Sequence, residues 1–406
     1  MGKKGFMKKL QIKKILRRTV WCAAAALCVA AVFALGGYEV IQRAGYQLSG
    51  ADLTTWEEAA LEKGIVSEIE EYHYAQLRDD LREVYREMYV HMMQNEDSGS
   101  VFSSVSVEDF WTVYYAVLAD HPEIFWLGTS VQVEEAGLIG KVVSYTLEAA
   151  VPVEARPSMK EKLEAAADAC IRGISPEASE YEKIKYVYEY LIDTVEYQNG
   201  SADSQNIQSA LLYHTSVCAG YSKAFQYILH RMGLFCTYIT GQIRDGGDHG
   251  WNMVRIDDRY YYVDVTWGDP VFANQVGERS EGNLKNYNYL CCTEMDLFKT
   301  HVPDDSMKLP ECIYDDYNYY RLNGCYYEAF DYDRIYQAVM QSVWNAEPNL
   351  VLKFADQEAY DEAKYELFER ELLQDAGQYL MEINGTDTWN YRYHTDDNFY
   401  LITIYW

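Results

Sequence analysis

The stretch DHGWNMVRIDDRYYYVDVTW, residues 248–267, decides how this chain folds. Two runs rich in β-branched and aromatic residues flank a pair of aspartates, the pattern of two strands joined by a tight turn. If Asp257 and Asp258 form a two-residue turn, Ile256 faces Arg259 and position 251 faces position 264. Side chains two apart on a strand share a face, so His249 then points the same way as Asp264. Diagonal neighbours on one face lie roughly 7–8 Å apart, within reach of an imidazole–carboxylate hydrogen bond. A three-residue loop would put them on opposite faces, so the inference rests on the turn. Asp264 is the only acidic residue in YYYVDVTW, and a carboxylate between two valines is costly unless partnered.

Upstream, HTSVCAGYSKAF (214–225) places Cys218 at the start of an expected helix. Tyr221, Ala224, Phe225, Ile228, Leu229 and Met232 form its apolar face, and Gly233 stops it. Thr215 or Ser216 is positioned to cap it. A helix N-terminus offers free N–H groups and partial positive charge, which favour the thiolate, and Gly220 removes bulk beside the sulfur. A lone cysteine is more often a small buried residue. A nucleophile needs a base and an orienting group. Of the eight histidines, His249 sits in a Gly-rich loop entering a strand. His214 precedes the helix and His230 falls roughly three turns along it, so both read as structural. Cys218, His249 and Asp264 together have the roles of an acyl-transfer site: nucleophile, proton carrier and tautomer anchor. The Cys218 backbone N–H would hold the oxyanion with a second donor. Gln208 is a candidate for that donor, with an ordinary exposed glutamine as the rival reading. Trp251, Trp267 and Asp269 lie beside the three, and the tryptophans either line a groove or pack the hairpin.

The runs SVCAGYSKAFQYILHRMGLFCTYITG (216–241) and DHGWNMVRIDDRYYYVDVTWGDP (248–270) resemble the core of the transglutaminase-like superfamily. Members resemble papain in using a Cys-His-Asp triad on an α+β scaffold. The three positions fall on Cys218, His249 and Asp264 in type, order and context. The resemblance is clear over 205–270 and looser over 180–300, where it takes in YNYLCCTEMDLFKTH (287–301). Gly250 departs from the alanine that bacterial members often carry after the histidine. The resemblance implies a fold of helices packed on an antiparallel sheet. It also implies a cysteine peptidase, amidase or acyltransferase working through a thioester on peptide or protein amides, and tryptophans that shape the substrate groove. Hydrolysis is favoured over crosslinking. The rival is a catalytically silent surface binding or scaffold protein on the same fold.

The 406-residue chain has a formal net charge of −28. Its first 18 residues carry eight basic side chains and no acidic one, and the remainder carries 27 basic against 63 acidic. That balance argues against a nucleic-acid partner. Residues 19–37 contain no charge and are long enough to span a bilayer. With the basic segment held in the cytoplasm, the rest would lie outside the cell of a bacterium on a single-pass signal-anchor. A signal peptide cleaved near Ala34-Leu35-Gly36, giving a secreted protein, is the alternative. Seven cysteines follow the anchor without a CxxC pair or zinc-site spacing, so no metal or cofactor is expected. Seven is odd, so at least one is unpaired within the chain, although a disulfide framework is possible outside the cell. The vicinal pair Cys291-Cys292 reads as buried strand residues. NGS at 199 and NGT at 384 match a glycosylation pattern relevant only in a eukaryotic secretory pathway.

The expected organisation is a cytoplasmic segment (1–18), an anchor (19–37), a stalk (38–65), a helical and hairpin domain (66–155), a transglutaminase-like domain (156–310) and a small α/β module (311–406). Ile69, Tyr72, Leu81, Val84, Tyr85, Met88 and Met92 fit one helix, NEDSGSVFSS a loop, and SVQVEEA with GKVVSYTLEAAV a hairpin.

Overall fold

The computed structural model describes residues 70–94, 97–136, 140–244, 246–269, 285–305, 308–370 and 372–406. The basic segment, the apolar segment 19–37 and the stalk lie outside them. Among the described residues, no helix is long and apolar enough to cross a membrane. The chain divides into two compact units, residues up to 118 with 127–151, and 119–126 with 152–406.

In the first unit the expected single helix is two: α1 (Tyr72–Gln76) and α2 (Asp79–Met93). Leu77 and Arg78 are extended between them. Asp79 and Asp80 favour a new N-terminus here, because acidic groups oppose the helix dipole there. Leu81, Val84, Tyr85, Met88 and Met92 are buried along α2, while Ile69 lies outside the described residues. The Ser/Gly run is not a loop but strand β1 (Ser98–Val105), followed by α3 (Val107–Asp120), β2 (Leu127–Ala136) and β3 (Lys141–Ala149). The sheet order is β1-β3-β2, all antiparallel. Gly99 belongs in β1 because a Cβ there would lie 2.3 Å from His91 Nδ1 and 2.6 Å from the Tyr145 hydroxyl.

The second unit opens with α4 (Arg156–Ile171) and α5 (Glu180–Thr194). A reciprocal capping box between Ser179 and Glu182 starts α5, and Ile184, Val187, Tyr188 and Leu191 form its buried stripe. Next come β4 (Glu196–Tyr197), α6 (Ile207–Leu211) and β5 (Thr215–Ser216), with β5 parallel to β4. Helix α7 (Cys218–Arg231) ends at Gly233, whose φ of 74° suits the left-handed stop, and Leu234 N–H returns to Leu229 O. Strands β6 (Cys236–Ile243), β7 (Asp248–Ile256) and β8 (Arg259–Val263) follow, then a turn of helix α8 (Val265–Gly268), α9 (Glu294–Leu297) and β9 (His301–Pro303). Their antiparallel sheet has the order β8-β7-β6-β9. Helix α7 is tied to β7: Ser222 Oγ donates to Gly250 O at 2.9 Å, and Asn252 Nδ2 donates to Ser222 O at 3.0 Å.

Beyond this sheet the chain builds α10 (Tyr319–Leu322), β10 (Tyr326–Tyr327), α11 (Tyr332–Trp344), β11 (Asn349–Phe354), α12 (Gln357–Lys364), α13 (Gln374–Asn384), β12 (Arg392–Asp396) and β13 (Leu401–Tyr405). Its sheet, β10-β11-β13-β12, closes over a core that includes Ile335, Val339, Leu352, Phe354 and Ile404.

Candidate active site

The hairpin sets the geometry. Asp257 and Asp258 have φ of 49° and 59°, the left-handed pair that a two-residue turn of this kind requires. Ile256 pairs with Arg259 and Asn252 with Val263, which is the register on which the His249–Asp264 juxtaposition depended. Strand β8 ends at Val263, one residue short of the carboxylate. Asp264 therefore caps α8, its Oδ1 accepting from Trp267 N–H at 3.0 Å. Its Oδ2 lies 2.6 Å from His249 Nε2.

Cys218 is the first residue of α7 and is half-buried. Neither expected cap serves the helix: Val217 is the N-cap residue, with no side-chain hydrogen bond. Ser216 Oγ is engaged instead with Ser209 Oγ at 2.7 Å. Gly220 answers to the same cluster rather than to the sulfur, since a Cβ there would fall 2.0 Å from Ser216 Oγ and 2.5 Å from Ser209 Oγ. The thiol of Cys218 lies near enough to the His249 ring to contribute to raising its pKa. Nε2 of that ring is committed to Asp264, which leaves Nδ1 for the sulfur.

An ionised carboxylate only accepts, so Nε2 of His249 carries hydrogen toward Asp264. Burial opposes protonation of His249. The charge and hydrogen bond of Asp264, followed by the neighbouring Cys218, outweigh it and push the imidazole up to about 10. Burial likewise opposes ionisation of Asp264. His249 and then His301 outweigh it and hold the carboxyl well below the usual range. The arrangement favours an imidazolium held against the Asp264 carboxylate.

His301, which sequence reasoning did not single out, completes this cluster. It is fully buried, and its Nε2 lies 2.9 Å from the same Asp264 Oδ2. The signal available was its place at the end of YNYLCCTEMDLFKTH, inside the looser family resemblance. Among the described residues, His249, Asp264 and His301 have ligand-type atoms all within 4.8 Å of one another. At 2.6 and 2.9 Å from one oxygen, the two nitrogens are placed as N–H donors, and hydrogen bonds account for the contacts.

The remaining candidates fall around this core. Trp251 is fully buried and stacks with His249 at 6.0 Å, and Trp267, 8% exposed, meets it edge-on at 6.4 Å. Each indole lies 5.1 Å from His301, so both rings wall the imidazole pair. Gln208 is not an exposed glutamine. It is fully buried in α6, and its amide has no hydrogen-bond partner among the described residues. Asp269 accepts from the Tyr221 hydroxyl at 2.9 Å. His230 is bonded to Cys236 O at 2.7 Å, and His214 has a φ of 56° in the loop before β5. All seven described cysteines are free. Burial pushes Cys170 and Cys312 up to about 12 and Cys325 to about 11, and Cys291 and Cys292 are buried with their thiols raised.

Comparison with known proteins falls on the same segment. A sequence model of the transglutaminase-like superfamily core matches residues 167–265. The kyphoscoliosis peptidase of Mus musculus is 26% identical over 143 residues, 31% of this chain and 21% of that protein. The Homo sapiens kyphoscoliosis peptidase is 26% identical over 106 residues, 22% of this chain and 16% of that protein. The chain thus spans about a fifth of the length of these curated relatives. A crystal structure of a TGase covers 47% of this chain and 48% of its own, at 12% identity and a TM-score of 0.25. Residues 167–265, which hold Cys218, His249 and Asp264, are thus the part of the chain that is similar to the transglutaminase-like superfamily core.

Proposed function

We propose that this chain is a cysteine-dependent enzyme of peptide or protein amides, with Cys218 as nucleophile, His249 as proton carrier and Asp264 as its anchor. The observation that carries the reading is the His249 ring held by Nε2 at 2.6 Å from Asp264 Oδ2, with the Cys218 thiol near enough to that ring to raise its pKa. Cys218 Sγ adds to the amide carbonyl carbon. The C–N bond breaks as the leaving amine takes the proton from His249 Nδ1, and a thioester remains. Water then gives a proton to Nδ1 and its oxygen to the acyl carbon, releasing a carboxylic acid and restoring the thiol. Asp264 holds the ring by Nε2 throughout. The Cys218 backbone N–H, with the Gln208 amide as second donor, receives the oxyanion. The half-exposed position of Cys218 favours water over an amine as acceptor. We place the enzyme at the outer face of a bacterial membrane, anchored by residues 19–37 and acting on cell-surface peptides or proteins.

A peptide library scored by mass spectrometry for both cleavage and amine incorporation tests the reading. Cleavage that disappears in Cys218→Ala is the expected result. Activity equal in wild type and Cys218→Ala would leave the chain as a binding or scaffold protein.

A further inference from the structure

We infer that His301 is a positioning residue for the proposed reaction: it shares the Asp264 carboxylate with His249 and sets the direction in which that carboxylate meets the catalytic ring. The inference rests on the proposed role of Cys218, His249 and Asp264. Asp264 is held at both oxygens. Oδ1 takes the Trp267 N–H at 3.0 Å, while Oδ2 takes His249 Nε2 at 2.6 Å and His301 Nε2 at 2.9 Å. Without His301, the ring that the carboxylate is meant to orient is the partner left to Oδ2, and a backbone donor holds only Oδ1. The support must then come from the group being supported.

His301 is itself rigidly placed. It lies in β9 and pairs with Ile243 of β6, so it is anchored by the backbone of the sheet. Its Nδ1 meets Thr300 Oγ1 at 2.7 Å. That hydroxyl also lies 3.2 Å from Leu297 O, to which it can donate, so it can serve either protonation state of the ring. Trp251, Trp267 and Tyr289 surround the imidazole at 5.1, 5.1 and 5.8 Å. A buried histidine with both nitrogens engaged and three aromatic walls is a fixed donor.

The other titratable groups that face Asp264 are Tyr188 of α5, Tyr197 of β4, Tyr238 of β6 and Cys292, all with raised pKa values, and none of them donates to it in the structure. The lowered pKa of the carboxyl, which keeps it ionised, therefore depends on the two histidines. Loss of His301 makes Asp264 easier to protonate. A protonated Asp264 no longer holds the charge on His249 that pairs with the sulfur.

The test compares the full chain with His301→Phe, which keeps a ring but removes the donor, and His301→Gln, which keeps an N–H near the Nε2 position. The rate of iodoacetamide addition to Cys218 is followed by mass spectrometry across pH, with thermal melts to confirm folding. Turnover of the cleaved peptide is measured alongside. In His301→Phe the acid limb of alkylation is expected to move up by roughly one pH unit, and kcat to fall on the order of tenfold with KM unchanged. His301→Gln should lie between it and wild type. Unmoved limbs in both variants, or equal losses of amplitude without a shift, would assign His301 a packing role and overturn the inference. Turnover that requires added zinc and is lost equally in both variants would overturn it too. Alkylation needs no substrate, so it reports on His301 even if Cys218→Ala retains the activity and the proposed function fails.

Discussion

Replacing Asp264 by asparagine removes the charge that outweighs the burial of His249. The imidazole is pushed up to about 10 with Asp264 as the leading cause of the increase. With that charge gone, only the smaller contribution of Cys218 opposes burial, and the ring should fall to its ordinary value near 6.5 or below. A drop of about three units or more corresponds to roughly 4–5 kcal/mol of differential interaction. The sign for stability follows. His249 binds its proton more tightly folded than unfolded, so its contribution is complete below about pH 6.5 and is lost as pH climbs through about 10. Wild type should therefore lose stability between pH 7 and 10, and Asp264→Asn should lack that slope. The assays are a ring-carbon NMR titration of His249 and urea unfolding at intervals across this range. Turnover should fall by on the order of 10³-fold or more, because the ring is no longer held charged and oriented. A His249 midpoint still near 10 in Asp264→Asn would refute the reasoning, since the charge would then come from elsewhere.

Three further outcomes are expected. Gly250→Ala should destabilise by about 1–3 kcal/mol, because the new Cβ lies 2.2 Å from the Tyr238 hydroxyl and 2.6 Å from its ring, and Tyr238→Leu should recover most of that in a thermal melt. Tyr221→Phe removes a buried hydroxyl that contacts Val195 O and Asp269 Oδ2 and should cost about 1–3 kcal/mol, read by denaturant midpoint at constant slope. Inserting one glycine between Asp257 and Asp258 should abolish turnover while the far-ultraviolet spectrum keeps its sheet content. The longer loop reverses the parity that brings His249 and Asp264 together.

What could be read from sequence was what depends on short range. The hairpin parity that pairs His249 with Asp264, and the α7 face with its glycine stop, involve neighbours within one helix or one hairpin. What escaped depends on distant partners. His301, 37 residues beyond Asp264 in the chain, reaches it through the pairing of β9 with β6. The run around Gly99 looked like a loop by composition, yet pairing with β3 makes it a strand. Ser216 looked like a cap but is spent on Ser209, and the same contact gives Gly220 its purpose. Gln208 carries no local mark of burial, because α6 is covered by α4 before it and α7 after it in the chain. The departure at Gly250 has a physical reason that only the position of Tyr238 supplies.

The turn at Asp257 and Asp258 has a mechanical consequence. Its amide at Asp257 donates to Glu180 Oε2 at 3.2 Å, Tyr317 donates to the Asp257 carboxylate, and Arg259 pairs with Asp316. The tip of the hairpin is thus moored to α5 on one side and to residues 316–317 on the other. His249 stands eight residues from the tip, roughly 27 Å along the strand. Force applied to the chain beyond residue 317 would enter the hairpin at its tip and run lengthwise through paired strands before reaching the imidazole. The ladder between β7 and β8 then behaves as a strut, and its failure mode under load is a slip in register.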